Sequence, residues 1–137
     1  MLQRVSEWTR MVNQVGSDEY DNFVLGLHDY NSASPLTQMV IDKHLSEFVF
    51  VCESALNMRK HGYFSEGTWA GIDGGTLALL RTPGGAQWWN YAQHWVGSEI
   101  SGHLNARLPE VPTDTPNFLD FTPAYRGRFV ELSNRQN

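Results

Sequence analysis

The segment from Ser34 to Gly62 constrains the fold more than any other. Ser34 is a helix-capping residue type, Pro35 suits a first helical turn, where a missing N–H costs little, and Gly62 suits the position just past a helix end. Lys60 and His61 put positive charge in the last turn, against the negative end of the helix dipole. Between these ends Ile41, Leu45, Phe48, Cys52 and Ala55 step by four, three, four and three. The spacing predicts one helix over about 35–61, about 40 Å long at ~1.5 Å per residue. Phe48-Val49-Phe50-Val51-Cys52 is apolar on every side. Such a run also fits a buried strand, but the caps and the flanking period favour helix. A helix apolar all round belongs in the middle of its bundle, so this one is predicted to be central in an all-α fold.

Shorter helices are predicted around it. Leu2, Val5, Trp8, Val12 and Val15 give residues 2–15 a rough helical period, which Gly16 ends. Ser17 caps a second helix with Asp18 and Glu19 at its positive end and a stripe of Tyr20, Phe23, Val24 and Leu27. Asp29-Tyr30-Asn31-Ser32-Ala33 is loop chemistry. Ser65 and Glu66 open a segment whose Trp69, Ile72, Thr76, Leu79 and Leu80 share one helical face. Gly71, Gly74 and Gly75 each cost a helix roughly 1 kcal/mol relative to alanine, and Asp73-Gly74 is also a hairpin signal. Helix is favoured because Ser65 and Thr82-Pro83 bracket a helix-length stretch, and the glycines suit close approach of another helix. Thr82-Pro83 then starts a helix on which Trp88, Ala92 and Trp95 recur at helical spacing, with Trp89 and Val96 beside them. Gly97-Ser98 ends it and caps a last one, lined by Ile100, Leu104 and Leu108 and stopped by Pro109. The expectation is a single-domain bundle of five or six helices over residues 1–108.

Residues 109–137 differ. Pro109, Pro112, Pro116 and Pro123 alternate with Phe118, Phe121, Tyr125 and Phe129. Proline disfavours a long regular element, yet four aromatics are too apolar for a solvated linker. The prediction is an extended C-terminal arm, lying on its own domain or docking on a partner. Arg126, Arg128 and Arg135 give it local positive charge suited to an acidic surface.

Composition excludes some functions. Ten basic against fifteen acidic residues leave a net charge of −5, which argues against a general nucleic-acid binder. No apolar run reaches the ~18 residues of a membrane-spanning helix, and the N-terminus lacks a signal-peptide core. The lone Cys52 forbids an internal disulfide and fits a reducing compartment. The chain reads as cytoplasmic, or as membrane-associated if a natural anchor precedes Met1.

Ser34-Pro35, Gly62-Tyr63-Phe64-Ser65, Trp69, Pro83-Gly84-Gly85-Ala86-Gln87-Trp88-Trp89 and Gly97-Ser98-Glu99 form a pattern covering a little over half of the chain. It resembles a family of uncharacterised bacterial small helical domains, in which a Ser-Pro-opened long helix is followed by a Pro-Gly-Gly-x-x-Trp-Trp helix. The resemblance implies a helical bundle and no chemistry. Many of those relatives carry an N-terminal membrane anchor; here the first predicted helix is amphipathic instead. The Pro-rich arm lies outside the resemblance.

Candidate sites are few. His28, His44, His61, His94 and His103 form no i, i+4 pair, so zinc-ligand spacing is absent. His44 and Glu47 sit one turn apart, with Glu99 or His103 as conceivable partners from another helix; a surface polar pair is the simpler reading. Cys52 sits among Phe48, Val49, Val51 and Ala55 and reads as core rather than nucleophile. His28 suits a helix C-terminus as a positive charge, and Asp18, Glu19 and Asp21 read as a solvated first-turn cluster. Arg81, Gly84 and Gly85 at a helix N-terminus make a candidate anion site, against ordinary capping by Thr82. Trp69, Trp88, Trp89 and Trp95 read as core and rim; the alternative is an aromatic cage for a cation or a groove for a peptide, with one of the adjacent Trp88 and Trp89 partly exposed and Tyr91 and His94 bordering it.

No catalytic, metal or cofactor residues are assigned. The leading expectation is a non-catalytic helical interaction or structural module that binds another protein or itself, through Trp88, Trp89, Tyr91 and His94 and through Phe118, Phe121, Tyr125 and Phe129 of the arm. On that expectation the bundle stays folded without residues 109–137. The alternatives are a bundle with a small-molecule or lipid pocket lined by Trp88 or Trp89, Phe48 and Phe50, and, behind it, a small metal-dependent enzyme.

Overall fold

A computed structural model describes residues 18–136. The helix expected over 2–15 and the cap at Ser17 lie outside the described residues. Within them the fold is all-α, with no strand. The helices are α1 (Asp18–His28), α2 (Pro35–Lys60), α3 (Glu66–Leu80), α4 (Pro83–Ala92), α5 (Ser98–Arg107), α6 (Phe118–Phe121) and α7 (Pro123–Gln136), with a 3₁₀ turn at Leu108–Glu110.

The long helix is held at both ends as its sequence predicts. The Ser34 hydroxyl accepts from the Thr37 N–H, and Gly62 takes a positive φ of 78°, open to glycine at little cost. α2 packs against α1, α3, α4 and α5, so it is the central helix. It is not buried all round, however: Ile41, Leu45, Val49, Cys52 and Ala55 are fully covered while Phe50 is 43% exposed. The Ser65 and Thr82 caps also form, Ser65 accepting from Thr68 and Thr82 from Gly85. α3 is helical through its glycines, and Asp73-Gly74 makes no hairpin. Ser98 is the first helical residue of α5 rather than its cap, a position that Gly97 takes without a side-chain bond.

The arm departs most from expectation. It is helical, not extended, because Pro123 sits in the first turn of α7, where its fixed φ helps. Nor is it a separate unit. Leu119 and Tyr125 are buried in the same core as α1 and α2, and Phe118, Phe129 and Leu132 pack against that core. Arg128 grips Asp21 of α1 through two bonds of 2.9 and 3.0 Å. The arm's positive charge does meet an acidic surface, and that surface belongs to the same chain.

Other polar residues of α1 and α2 are also more committed than their spacing indicates. His44 is 2% exposed and bonds Glu19, which also accepts from Lys43. It is therefore no surface partner of Glu47. Burial pulls the His44 imidazole below its ordinary pKa, against the opposing pull of Glu19. His28 lies flat on Phe129, 4.0 Å between ring centres, and burial lowers its pKa too, so it is a neutral, packed ring rather than a dipole-compensating charge. Both folded-state values lie below those of the unfolded chain. The unfolded state therefore binds more protons as pH falls below about 6.5, and stability drops there. The urea midpoint should fall between pH 7 and pH 5, and fall less in a His44→Gln variant. An equal fall in both proteins would clear His44 of the effect.

Candidate functional site

The tryptophan helix buries both of its adjacent indoles. Trp88 is 1% exposed and Trp89 4%. α4 is covered on more than one side: Trp88 faces the core, while the Trp89 indole N–H donates to Asn105 of α5 at 2.8 Å. Neither is the groove residue that adjacency predicts. Phe48 is buried beneath Gly75 of α3, while Phe50 is 43% exposed. Among the described residues the exposed indole is Trp95, beyond the end of α4, at 54%. It meets Phe50 edge to face at 6.4 Å, with Trp88 behind it at 6.2 Å. Tyr91 and His94 are exposed as expected, and the Tyr91 hydroxyl donates to Asn31 at 3.3 Å. Of the arm aromatics, Phe118 and Tyr125 pair edge to face at 5.4 Å inside the fold, Phe129 stacks on His28, and Phe121 is 64% exposed.

The candidate anion site has another task. Arg81 donates to the carbonyls of Thr115 at 2.8 Å and Pro116 at 3.3 Å, clamping the chain that leads to α6. Gly84 and Gly85 are buried at a tight backbone contact, and the Gly85 N–H is taken by Thr82. Cys52 is fully buried, and burial pushes its thiol up to about 11, so no thiolate is available near neutral pH.

A second constellation lies between α3 and α5, and the spacing of the sequence does not reveal it. Asp73 is 4% exposed in the middle of α3. Its Oδ1 accepts from His103 Nε2 at 2.7 Å and its Oδ2 from Arg107 Nε at 3.2 Å. His103 and Arg107 are four residues apart, hence on one face of α5. Arg107 also bonds Glu110, at 2.5 Å. The carboxylate thus orients the ring: with Nε2 donating to Asp73, the neutral imidazole has its lone pair at Nδ1. Nδ1 makes no hydrogen bond among the described residues, and neither does Arg107 Nη2.

These groups line a cavity of about 310 Å³ together with Arg59, Glu66, Trp69 and Gly74. The Trp69 ring stands 5.4 Å from His103, with the Arg59 guanidinium 5.2 Å from its centre. A second cavity of about 410 Å³ shares Ala70, Gly74 and Arg107 with the first and is more apolar, lined by Gly71, Gly75, Ala78, Val111 and Phe121. A Cβ at Gly71 or Gly74 would meet nothing within 4 Å, so among the described residues no helix approaches α3 closely at those two, whereas at Gly75 it would touch Phe48 of α2 at 3.5 Å. Glu99 goes elsewhere, to Lys60, and among the described residues no group of three or more His, Cys, Asp or Glu is placed to hold a metal ion. Nor is any described helix long and apolar enough to cross a membrane.

No protein-family model, curated protein or solved structure matches this chain.

Proposed function

We propose that this chain is a protein-interaction module whose contact surface is the aromatic corner of Phe50 and Trp95, with Tyr91 and His94 beside it in sequence. The observation that carries the reading is the exposed Trp95–Phe50 pair in a fold that buries every other large aromatic of α2 and α4 except Tyr91. Half-exposed indole and phenyl rings leave apolar area in water, where each buried Å² would give about 25 cal/mol. Tryptophan is also a residue type over-represented among the few that dominate binding energy. Trp88 behind Trp95 holds the outer ring at an edge-to-face angle, so little freedom is lost on docking.

The arm aromatics no longer support an intermolecular role, since three of the four pack within the chain. A partner protein therefore meets α2 and the end of α4 rather than residues 109–137. The test compares wild type with a Phe50→Ala/Trp95→Ala double variant, in affinity capture from the native cell and in sedimentation over a range of concentrations. Stability should change by less than about 1 kcal/mol, since exposed side chains contribute little to the core. Loss of a captured protein or of self-association, with the same helicity, is the expected result. Identical partners and assembly for both proteins would exclude this corner as the interface.

A further inference from the structure

The two cavities along α3 carry a reading independent of the aromatic corner. Three features converge there. A buried carboxylate holds by Nε2 a histidine that lines a cavity, and its Nδ1 has no hydrogen-bond partner among the described residues. A guanidinium lining both cavities keeps Nη2 uncommitted. The adjoining space is apolar and shares Ala70, Gly74 and Arg107 with the first, and a Cβ at Gly74 would meet nothing within 4 Å. Tying α3 to α5 accounts for Asp73 and its two bonds. It does not account for a histidine whose remaining nitrogen has no partner beside an arginine with a spare donor.

We infer that this is a hydrolytic site for small carboxylic esters, with His103 as general base, Asp73 as its positioning residue, Arg107 as oxyanion donor and the glycine-floored cavity as the acyl-chain pocket. The chemistry needs only water as co-reactant. His103 Nδ1 takes a proton from a water molecule as the water oxygen bonds the acyl carbon. The carbonyl electron pair moves onto its oxygen, which faces Arg107 Nη2. Collapse of that intermediate breaks the bond to the alkoxy oxygen, and the alcohol leaves with the proton from Nδ1. A carboxylic acid and an alcohol result, and His103 ends as it began. Water is the nucleophile because no serine or cysteine lines either cavity.

The probes are 4-nitrophenyl acetate and 4-nitrophenyl butyrate, with the full chain. His103→Gln should lower kcat/KM for the butyrate at least tenfold, as a general base contributes about 10²–10⁴. His61→Gln, at an exposed helix end, should leave the rate unchanged. Gly74→Leu should raise KM for the butyrate by about tenfold relative to the acetate, because its Cβ enters open space and the rest of the side chain extends over residues shared by the two cavities. The wild-type His103 ring is read directly by NMR. The same spectra test the geometry without any variant: nitrogen shifts should report the Nε2–H tautomer. A wild-type rate equal to that of His103→Gln would overturn the assignment. So would the Nδ1–H tautomer, since the base would then have no lone pair at Nδ1. Neither result bears on Phe50 and Trp95, so this site and the aromatic corner stand or fall separately.

Discussion

Gly84→Ala will cost this fold about 3 kcal/mol or more, while alanine at Gly71 and Gly74 will stabilise it. The sign is set by what a Cβ meets. At Gly84 it would lie 1.7 Å from the carbonyl oxygen of Gly26 and 2.8 Å from the carbonyl carbons of Gly26 and Leu27. Those atoms are backbone of α1 and have no rotamer to escape into. α4 must therefore back away from α1, and the covered side chains of the two helices move with it: Leu27 is fully covered and Trp88 1% exposed. Overpacking a core costs about 1–3 kcal/mol when side chains can adjust, and more when backbone cannot. Gly71 and Gly74 are helical and open, so alanine there gains up to about 1 kcal/mol each by restricting the unfolded chain and favouring the helix. Urea midpoints of Gly84→Ala and of Gly71→Ala/Gly74→Ala settle it. An unchanged midpoint for Gly84→Ala would mean that α1 and α4 do not approach this closely.

The contrast shows which part of the architecture the residues announce. A helix end is a local event, so Ser34, Ser65, Thr82 and Gly62 were legible: each makes or permits its bond within a few residues of itself. Those caps also outweigh the glycines inside α3. What a glycine is for depends on its neighbours in space. Gly84 reads as an anion cradle from its place after Thr82-Pro83, but it exists so that two backbones can meet. The arm was misread because four prolines were weighed as breakers when one of them, Pro123, follows a hydroxyl residue as Pro35 and Pro83 do, and starts a helix as they do.

The α3–α5 site failed for a different reason. Asp73 and His103 are 30 positions apart, and only the packing of α3 beside α5 joins them. One signal was present: Asp73 is the sole charged residue between Trp69 and Leu80, and a lone carboxylate on a helix otherwise bound for the core must find partners. Trp88 and Trp89 show the matching limit of helical geometry. Neighbours 100° apart do point apart, yet a ten-residue helix enclosed on several sides buries both.

Ending the chain at Pro116 will abolish cooperative unfolding, not merely detach an arm. Leu119 and Tyr125 are 1% and 4% exposed, and full burial of a large apolar side chain is worth about 1.5–3 kcal/mol, so these two alone account for roughly 3–6 kcal/mol. Phe118, Phe129 and Leu132 add partial burial, and the faces they cover on α1, around Phe23 and His28, would become wet. Native domains are stable by about 5–15 kcal/mol, so the remainder falls near or below zero. The two-bond grip of Arg128 on Asp21 goes as well, leaving Asp21 without that partner. Thermal melts followed by circular dichroism should lose their sigmoidal transition in the truncated protein. A synthetic peptide of residues 117–137, added in excess, should restore it, because the seat it occupies is built by α1 and α3. Tyr125→Ala in the full chain should fall between, down by about 3–5 kcal/mol as for other buried aromatic truncations. If the truncated chain instead melts cooperatively within about 1 kcal/mol of wild type, α6 and α7 rest on the bundle without supporting it, and the burial of Leu119 and Tyr125 contributes far less than transfer energies assign.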